Sequence, residues 1–194
     1  MLRFFAVLAL VLTALSVRDV AALEPGGEGW DADVLAGLAG VRVAVRPLSA
    51  DATAASLDAL HLYAQVTLRL RREGIAVLED GEDRPDAATL RVALDDLAQA
   101  DGPEAFHDFW LTVDLVQDAQ LVRHPSVRSP VVTWSRLATG SHPANEMPAR
   151  VRDVLAQALD ELLADYRHAN PGARVPPLSS ASIATPGVRG PEGD

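Results

Sequence analysis

Residues Phe106–Leu121 read FHDFWLTVDLVQDAQL, and this stretch decides the fold class. Apolar side chains recur at every second position, which is the pattern of a long β-strand with one face against a core. The covered face would carry Phe109, Leu111, Val113 and Leu115. The other face would carry Trp110, Thr112, Asp114, Val116 and Asp118. The stretch therefore predicts a sheet with one covered and one open face.

The residues on the C-terminal side of this strand predict a hairpin and a helix. Residues 124–130 contain two prolines and predict a turn, and residues 131–138 predict the returning strand. Residues 148–168 then carry apolar side chains at a spacing of 3.6 residues, which predicts an amphipathic helix. This apolar stripe comprises Val151, Val154, Leu155, Ala158, Leu159, Leu162 and Leu163.

The residues on the N-terminal side predict a strand, a helix and two further strands. Valines alternate with other residues over 41–46, and Leu90, Val92 and Leu94 repeat that pattern. Residues 56–73 predict a helix that ends at Gly74, and the apolar run 75–78 predicts a short strand after it. The spacing predicts that the apolar stripe of this helix comprises Leu57, Leu60, Ala64 and Leu68.

Together these segments predict an α+β fold with the element order β-α-β-β-β-β-α. Two amphipathic helices need one sheet face to bury against, so we expect a two-layer sandwich. Its sheet would be mixed, with about five strands and both helices on one face.

The two ends of the chain predict non-globular segments. Residues 1–22 have Arg3 before an apolar run of about 14 residues, shorter than the roughly 20 that span a bilayer as a helix. They predict a signal peptide cleaved near Ala22, with an uncleaved anchor as the alternative. Residues 23–40 predict an irregular segment, 41–170 a single domain, and 171–194 a disordered tail rich in Pro, Gly and Ser.

Charge and cysteine content exclude several classes of function. The formal net charge is −10, which disfavours binding to nucleic acid, and no stable membrane insertion is expected once the signal is removed. The chain has no cysteine, so disulfides, thiolate metal sites and the lipid-acceptor cysteine of a bacterial lipoprotein are all excluded. The predicted signal peptide, cleaved near Ala22, indicates a periplasmic or secreted protein.

No motif predicts catalysis, a cofactor or a metal. The sequence lacks G-x-S-x-G, S-x-x-K, HExxH and a glycine-rich phosphate loop. The acidic loop 79–86 could hold calcium, but it does not match the EF-hand spacing, and a solvated loop is the favoured interpretation. An unrecognised hydrolase site would need His107 or His124 to lie near carboxylates from other strands. We therefore predict that the chain is not an enzyme.

The open face of the sheet is the predicted functional surface. Exposed tryptophan and arginine often anchor protein interfaces. The alternative is that the arginine stems only cover an apolar sheet, with Asp114 pairing one of them. The first interpretation predicts a clustered patch and the second predicts scattered side chains. The candidate partner-binding residues are Arg42, Arg46, Arg91, Trp110, Thr112, Asp114 and Trp134.

Four short sequence segments carry a resemblance to small periplasmic α+β domains. They are VRVAVRPL at 41–48, LRLRREGI at 68–75, TLRVAL at 89–94 and LLADY at 162–166 before Asn170-Pro171. The first three are similar to the N-terminal domain of the Tol-system β-propeller protein and to the periplasmic domain of the curli secretion lipoprotein. The fourth is similar to uncharacterised exported proteins of proteobacteria. The resemblance implies a protein that assists an envelope complex, although the lipoprotein members carry a cysteine that this chain lacks.

The sequence therefore predicts a non-enzymatic interaction module of the bacterial envelope. It would bind an envelope protein or a second copy of itself through the open sheet face. The alternatives are a small-ligand binder with an apolar pocket between the sheet and the helices, or a hydrolase with an unrecognised site.

Overall fold

The computed structural model describes residues 32–79, 81–82, 84, 86–99 and 106–172. The predicted signal segment, most of the irregular segment that follows it, and residues 173–194 of the predicted tail lie outside the described residues. The elements, in chain order, are a 3-10 helix (Ala32–Leu35), β1 (Gly40–Val45), α1 (Ala50–Ala54), α2 (Ala59–Arg72), β2 (Ala87–Ala98), β3 (Phe106–Leu121), β4 (His124–Pro143) and α3 (Met147–Ala169).

The sheet is mixed and open, but it has four strands rather than about five. Its order is β1-β2-β3-β4, with β1 parallel to β2 and the other two pairs antiparallel. The predicted strand at 75–78 is only a single bridge between Val77 and Val41. Two backbone hydrogen bonds hold it, from Val41 N to Ala76 O (2.8 Å) and from Leu78 N to Val41 O (3.0 Å). The run between the turn at Gly74 and the acidic loop is too short to pair further.

The C-terminal hairpin differs most from the prediction. β3 has the predicted bounds, but β4 begins at His124, immediately after a turn at Val122-Arg123. The predicted turn at 124–130 is therefore strand. β4 is the last strand of the sheet, so the N–H groups on its outer side have no strand partner, and such positions tolerate prolines such as Pro125 and Pro130.

The first predicted helix is two helices separated by a break. Ser56 has a φ of 67°, a left-handed conformation that ends α1 and its following turn. α2 begins only after Asp58, whose side chain accepts a hydrogen bond from Leu60 N (2.9 Å) and so caps the helix. α2 ends before Gly74, which has a φ of 79°, as the sequence predicted for a residue beyond a helix end.

The buried stripe of α2 is not the predicted one. Leu60 and Leu68 are exposed, whereas Leu62, Val66 and Leu70 are buried. Both sets recur every four residues and so both fit one face of a helix. The predicted stripe is wrong because the predicted helix began at Ser56 and therefore included Leu57, which lies before the start of α2.

One face of the sheet is buried and all three helices cover it. The core joins side chains from α1, α2 and α3 to those on the covered face of the sheet, including Phe109, Leu111 and Trp134. The predicted stripe of α3 is buried along its whole length. The two-layer α+β arrangement is therefore confirmed, with the opposite sheet face left open.

Candidate interaction surface

The open face is set by the alternation of β2, β3 and β4. Leu90, Val92 and Leu94 point into the core from β2, so the residues between them point outward. Arg91, Trp110, Thr112 and Asp114 lie on this open face, and Arg46 is exposed just beyond the end of β1. Together with Arg42, six of the seven predicted residues are therefore found on or beside one surface.

A line of exposed apolar side chains crosses this face. Trp110 lies opposite Asp95 on β2 and Thr139 on β4. Leu97 is two residues beyond Asp95, and Leu137 is two residues before Thr139, so both are diagonal neighbours of the indole. The exposed fractions are 58% for Leu97, 42% for Trp110 and 41% for Leu137. We call Leu97, Trp110 and Leu137 the apolar diagonal. The two leucines are not among the partner-binding residues predicted from the sequence.

Two ion pairs, each formed by an arginine and an aspartate, flank the apolar diagonal. Arg46 Nη2 lies 2.5 Å from Asp95 Oδ1, and Arg91 Nη2 lies 3.3 Å from Asp114 Oδ2. Ser135 Oγ donates to the other oxygen of Asp114 (2.7 Å). Exposed pairs of this kind contribute at most about 1 kcal/mol to stability. The pairing of Asp114 with Arg91 agrees with the covering interpretation. The interface interpretation predicted a patch of aromatic and arginine side chains, whereas the apolar diagonal combines one tryptophan with two leucines.

Asp108 adds a fixed negative charge at the Leu97 end of the face. It lies opposite Leu97 and Ser141 in the sheet. Hydrogen bonds from the Ser141 side chain and then from Gln99 Nε2 (2.7 Å) lower the pKa of Asp108, and partial burial opposes them. The carboxyl group is therefore ionised at every pH at which the protein would normally be studied.

Trp134 does not belong to the open face. It is 1% exposed and lies in the core, opposite Leu115. Its indole N–H donates to Asp165 Oδ2 on α3 (2.9 Å), and the Arg136 guanidinium lies 4.9 Å from the ring centroid. Arg136 Nε also donates to Glu161 Oε2 (2.5 Å). Trp134 thus anchors β4 to α3. The prediction that Trp134 belongs to the partner-binding face is wrong, because the side chain is buried in the core.

Arg42 lies at the opposite end of the open face from Trp110. Its strand neighbour is Thr89, which is the last β2 residue paired with β3 at that end. Arg42 Nη2 donates to Glu82 O (2.7 Å). It lines a surface cavity of about 390 Å³ together with Arg84 and Arg128, two residues that the sequence analysis did not select.

The structure brings His107 near a carboxylate from another strand, as an unrecognised hydrolase site would require. His107 Nδ1 lies 3.4 Å from Asp96 Oδ2, and the Asp96 side chain is fully buried. Ser49 Oγ donates to the other oxygen of Asp96 and accepts from Ala52 N (2.9 Å), which caps α1. The carboxylate therefore separates the hydroxyl from the imidazole, whereas nucleophilic catalysis needs the imidazole beside the hydroxyl. This cluster ties α1 to the sheet.

The described residues form several surface cavities but no metal site and no membrane-spanning helix. Three surface cavities have volumes of about 220, 390 and 220 Å³. The first lies between the segment that begins with the 3-10 helix and the ends of β2 and β3, and none of these three lies between the sheet and α1, α2 or α3. Within the described part of the chain, no three imidazole or carboxylate groups are placed to share a metal ion. No helix in that part is long and apolar enough to cross a bilayer.

Comparisons with known proteins give weak structural similarity. No family model matches the chain, and no curated protein matches it. A PelC dodecamer from Paraburkholderia phytofirmans aligns with a TM-score of 0.37 and 15% identity, covering 69% of this chain and 90% of that one. A variant of the same protein gives 0.38 and 17%, covering 68% and 88%.

A minor lipoprotein from Acinetobacter baumannii aligns with a TM-score of 0.36 and 15% identity, covering 67% of this chain and 94% of that one. Neither the Tol-system nor the curli protein is among these three structures. At these TM-scores the similarity supports no statement about function or assembly.

Proposed function

We propose that this chain is a non-enzymatic interaction module of the bacterial envelope that associates with a second copy of itself through the open sheet face. The apolar diagonal carries the proposal. A tryptophan and two leucines lie adjacent on an uncovered sheet, and tryptophan is one of the residues that most often anchor a protein interface. Isolated exposed apolar residues would need no explanation, but a contiguous line of them does.

The charges around the apolar diagonal favour a second copy as the occupant. A two-fold contact places the same patch on both subunits, so the patch must be complementary to itself. Arg46 and Arg91 supply positive charges, and Asp95 and Asp114 supply negative charges on the same face. Two such faces can oppose each arginine with a carboxylate, whereas a face of a single sign would repel its copy.

Replacing Trp110 with alanine tests this surface. An interface anchor typically contributes 2 kcal/mol or more, so the dimer dissociation constant should rise by about 30-fold or more. Analytical ultracentrifugation over a range of protein concentrations measures it. Leu68→Ala is the matched control, since Leu68 is 54% exposed on α2, and it should leave the dissociation constant unchanged.

A monomer at every concentration would contradict self-association. In that event, crosslinking in cells and capture from the envelope fraction would ask whether a different protein occupies the face. A dimer that survives Trp110→Ala and Leu137→Glu would instead show that copies meet elsewhere, and the proposal for the open face would fail.

The envelope location rests on the predicted signal peptide and has its own test. We expect the protein expressed in a Gram-negative host to appear in the periplasmic or extracellular fraction with Leu23 as its first residue. N-terminal sequencing and fractionation measure this result. Replacing Ala22 with a bulky residue should block cleavage, because signal peptidase needs a small side chain at that position. An intact N-terminus in the cytoplasm would contradict the location.

A further inference from the structure

We propose that the cavity at the Arg42 end of the sheet is a binding site for a phosphate monoester group. It is a separate site from the apolar diagonal and does not depend on the proposed self-association. Three arginines from separated parts of the chain meet there: Arg42 from β1, Arg84 from the loop before β2, and Arg128 from β4. We call these residues and their cavity the arginine pocket.

The hairpin of β3 and β4 builds one wall of the arginine pocket. β2 is paired with β3 only as far as Thr89 opposite Val116, and beyond that row β3 and β4 continue as a two-stranded arm. The pairing register shifts between Leu115 and Val116, where the arm leaves the sheet. A bulge of this kind bends a strand and re-aims the residues beyond it. Arg128 on the arm thereby comes to line the same cavity as Arg42 on β1.

The positive charges of the arginine pocket are poorly neutralised. Among the described residues, neither Arg42 nor Arg128 forms an ion pair, and Arg84 Nη2 lies 3.8 Å from Glu82 Oε2. Among the described residues that line the cavity, Asp118 is the one acidic residue, and together these residues carry a formal charge of about +2. This concentration of positive charge is notable in a chain whose net charge is −10.

The donors available in the pocket suit a dianionic oxyanion. Each guanidinium has five N–H groups in a planar fork that can bind two oxygens of one phosphate. Arg42 uses one donor on a backbone carbonyl and keeps the others, and Thr89 also lines the cavity. A phosphate monoester carries nearly two negative charges at neutral pH, which matches the charge of the lining.

A small phosphate compound fits better than an extended polyanion. The volume of about 390 Å³ lies in the range of small-molecule sites. The acidic surface elsewhere would repel a nucleic acid or a broadly anionic membrane. The group could come from a soluble phosphate ester or from a single lipid headgroup, and the experiment separates these two sources.

Calorimetric titration of the full exported chain with glycerol 3-phosphate tests the site, with glycerol as the uncharged control. We expect saturable binding of one molecule per chain for the phosphate and none for glycerol. Arg42→Gln and Arg128→Gln should each weaken binding by about tenfold or more, because each removes charged hydrogen bonds. Arg152→Gln, on the exposed surface of α3, should not change the affinity.

Absence of saturable binding to glycerol 3-phosphate would overturn the proposal, as would equal weakening by all three variants. Circular dichroism confirms that each variant keeps its fold. Sedimentation with phosphatidylcholine vesicles, with and without phosphatidic acid, then identifies the source. Pelleting that requires phosphatidic acid, is competed by glycerol 3-phosphate and is lost in Arg42→Gln supports a lipid headgroup. Binding of glycerol 3-phosphate without pelleting supports a soluble ester.

Discussion

Replacing Trp134 with alanine is expected to lower the free energy of unfolding by about 3–5 kcal/mol, the range for removing a buried tryptophan. The indole is 1% exposed at the junction of β4 and α3. Its loss would leave a cavity, free Asp165 of its hydrogen-bond donor, and remove the ring over which Arg136 lies. Urea unfolding followed by circular dichroism measures the change.

Trp110→Ala is the matched control, because it removes the same side chain from the opposite face of the sheet. Trp110 is 42% exposed, and cross-strand contacts on such a surface contribute about 1 kcal/mol or less. Both variants should be compared at one low protein concentration, since self-association would add to apparent stability. Equal destabilisation by the two substitutions would contradict the assignment of the two tryptophans to opposite faces.

Trp134→Phe separates the two contributions of the indole. Phenylalanine keeps most of the apolar volume but donates no hydrogen bond to Asp165. The loss of one hydrogen bond to a charged group is worth about 1.5–3 kcal/mol, so this variant should lie between the wild-type protein and Trp134→Ala. A cost as large as that of alanine would mean that the hydrogen bond, rather than the packing, holds β4 to α3.

The sequence predicts the sheet face of Trp110 but not that of Trp134. Strict alternation from Phe109 to Leu115 settles the faces of β3, and Trp110 follows from it. On β4 the register shifts opposite Leu115/Val116, so counting residues along the strand does not give the face of Trp134. Only the register across the hairpin decides it.

Other differences have equally local causes. The prolines in β4 predict a turn because a sequence does not reveal that their strand is the last in the sheet. The run 75–78 has the composition of a strand, but hydrogen bonding to β1 ends after a single bridge.

The candidate site was predictable only where it follows alternation. Arg46, Arg91 and Trp110 belong to regular positions, and their face could be inferred. Leu97 lay beyond the predicted end of its strand, and Leu137 becomes part of the apolar diagonal only through the register of β4 with β3. The arginine pocket is formed by three segments that are distant in the sequence, and no residue spacing predicts that these segments come together.

Gly140→Ala is expected to destabilise the protein by about 1–3 kcal/mol, the cost of overpacking a core. Gly140 lies opposite Phe109, and a Cβ atom there would approach Phe109 Cε1 to 2.7 Å and Cζ to 3.0 Å. The Phe109 ring is fully buried and cannot move aside without disturbing its neighbours. Gly172→Ala is the control, because a Cβ atom there would meet nothing within 4 Å; its effect should stay within about 0.5 kcal/mol.

A double-mutant cycle identifies the ring as the cause. Phe109→Leu alone should destabilise the core, but it removes the atoms that a Cβ at residue 140 would strike. The double variant Phe109→Leu/Gly140→Ala should therefore cost less than the sum of the single variants, by at least about 0.5 kcal/mol. If the two changes in the free energy of unfolding are strictly additive, the destabilisation by Gly140→Ala arises in the backbone of β4 and not from contact with the Phe109 ring. Because these two residues pair directly across β3 and β4, coupling between them would also confirm the register that places Leu137 on the open face and Trp134 in the core.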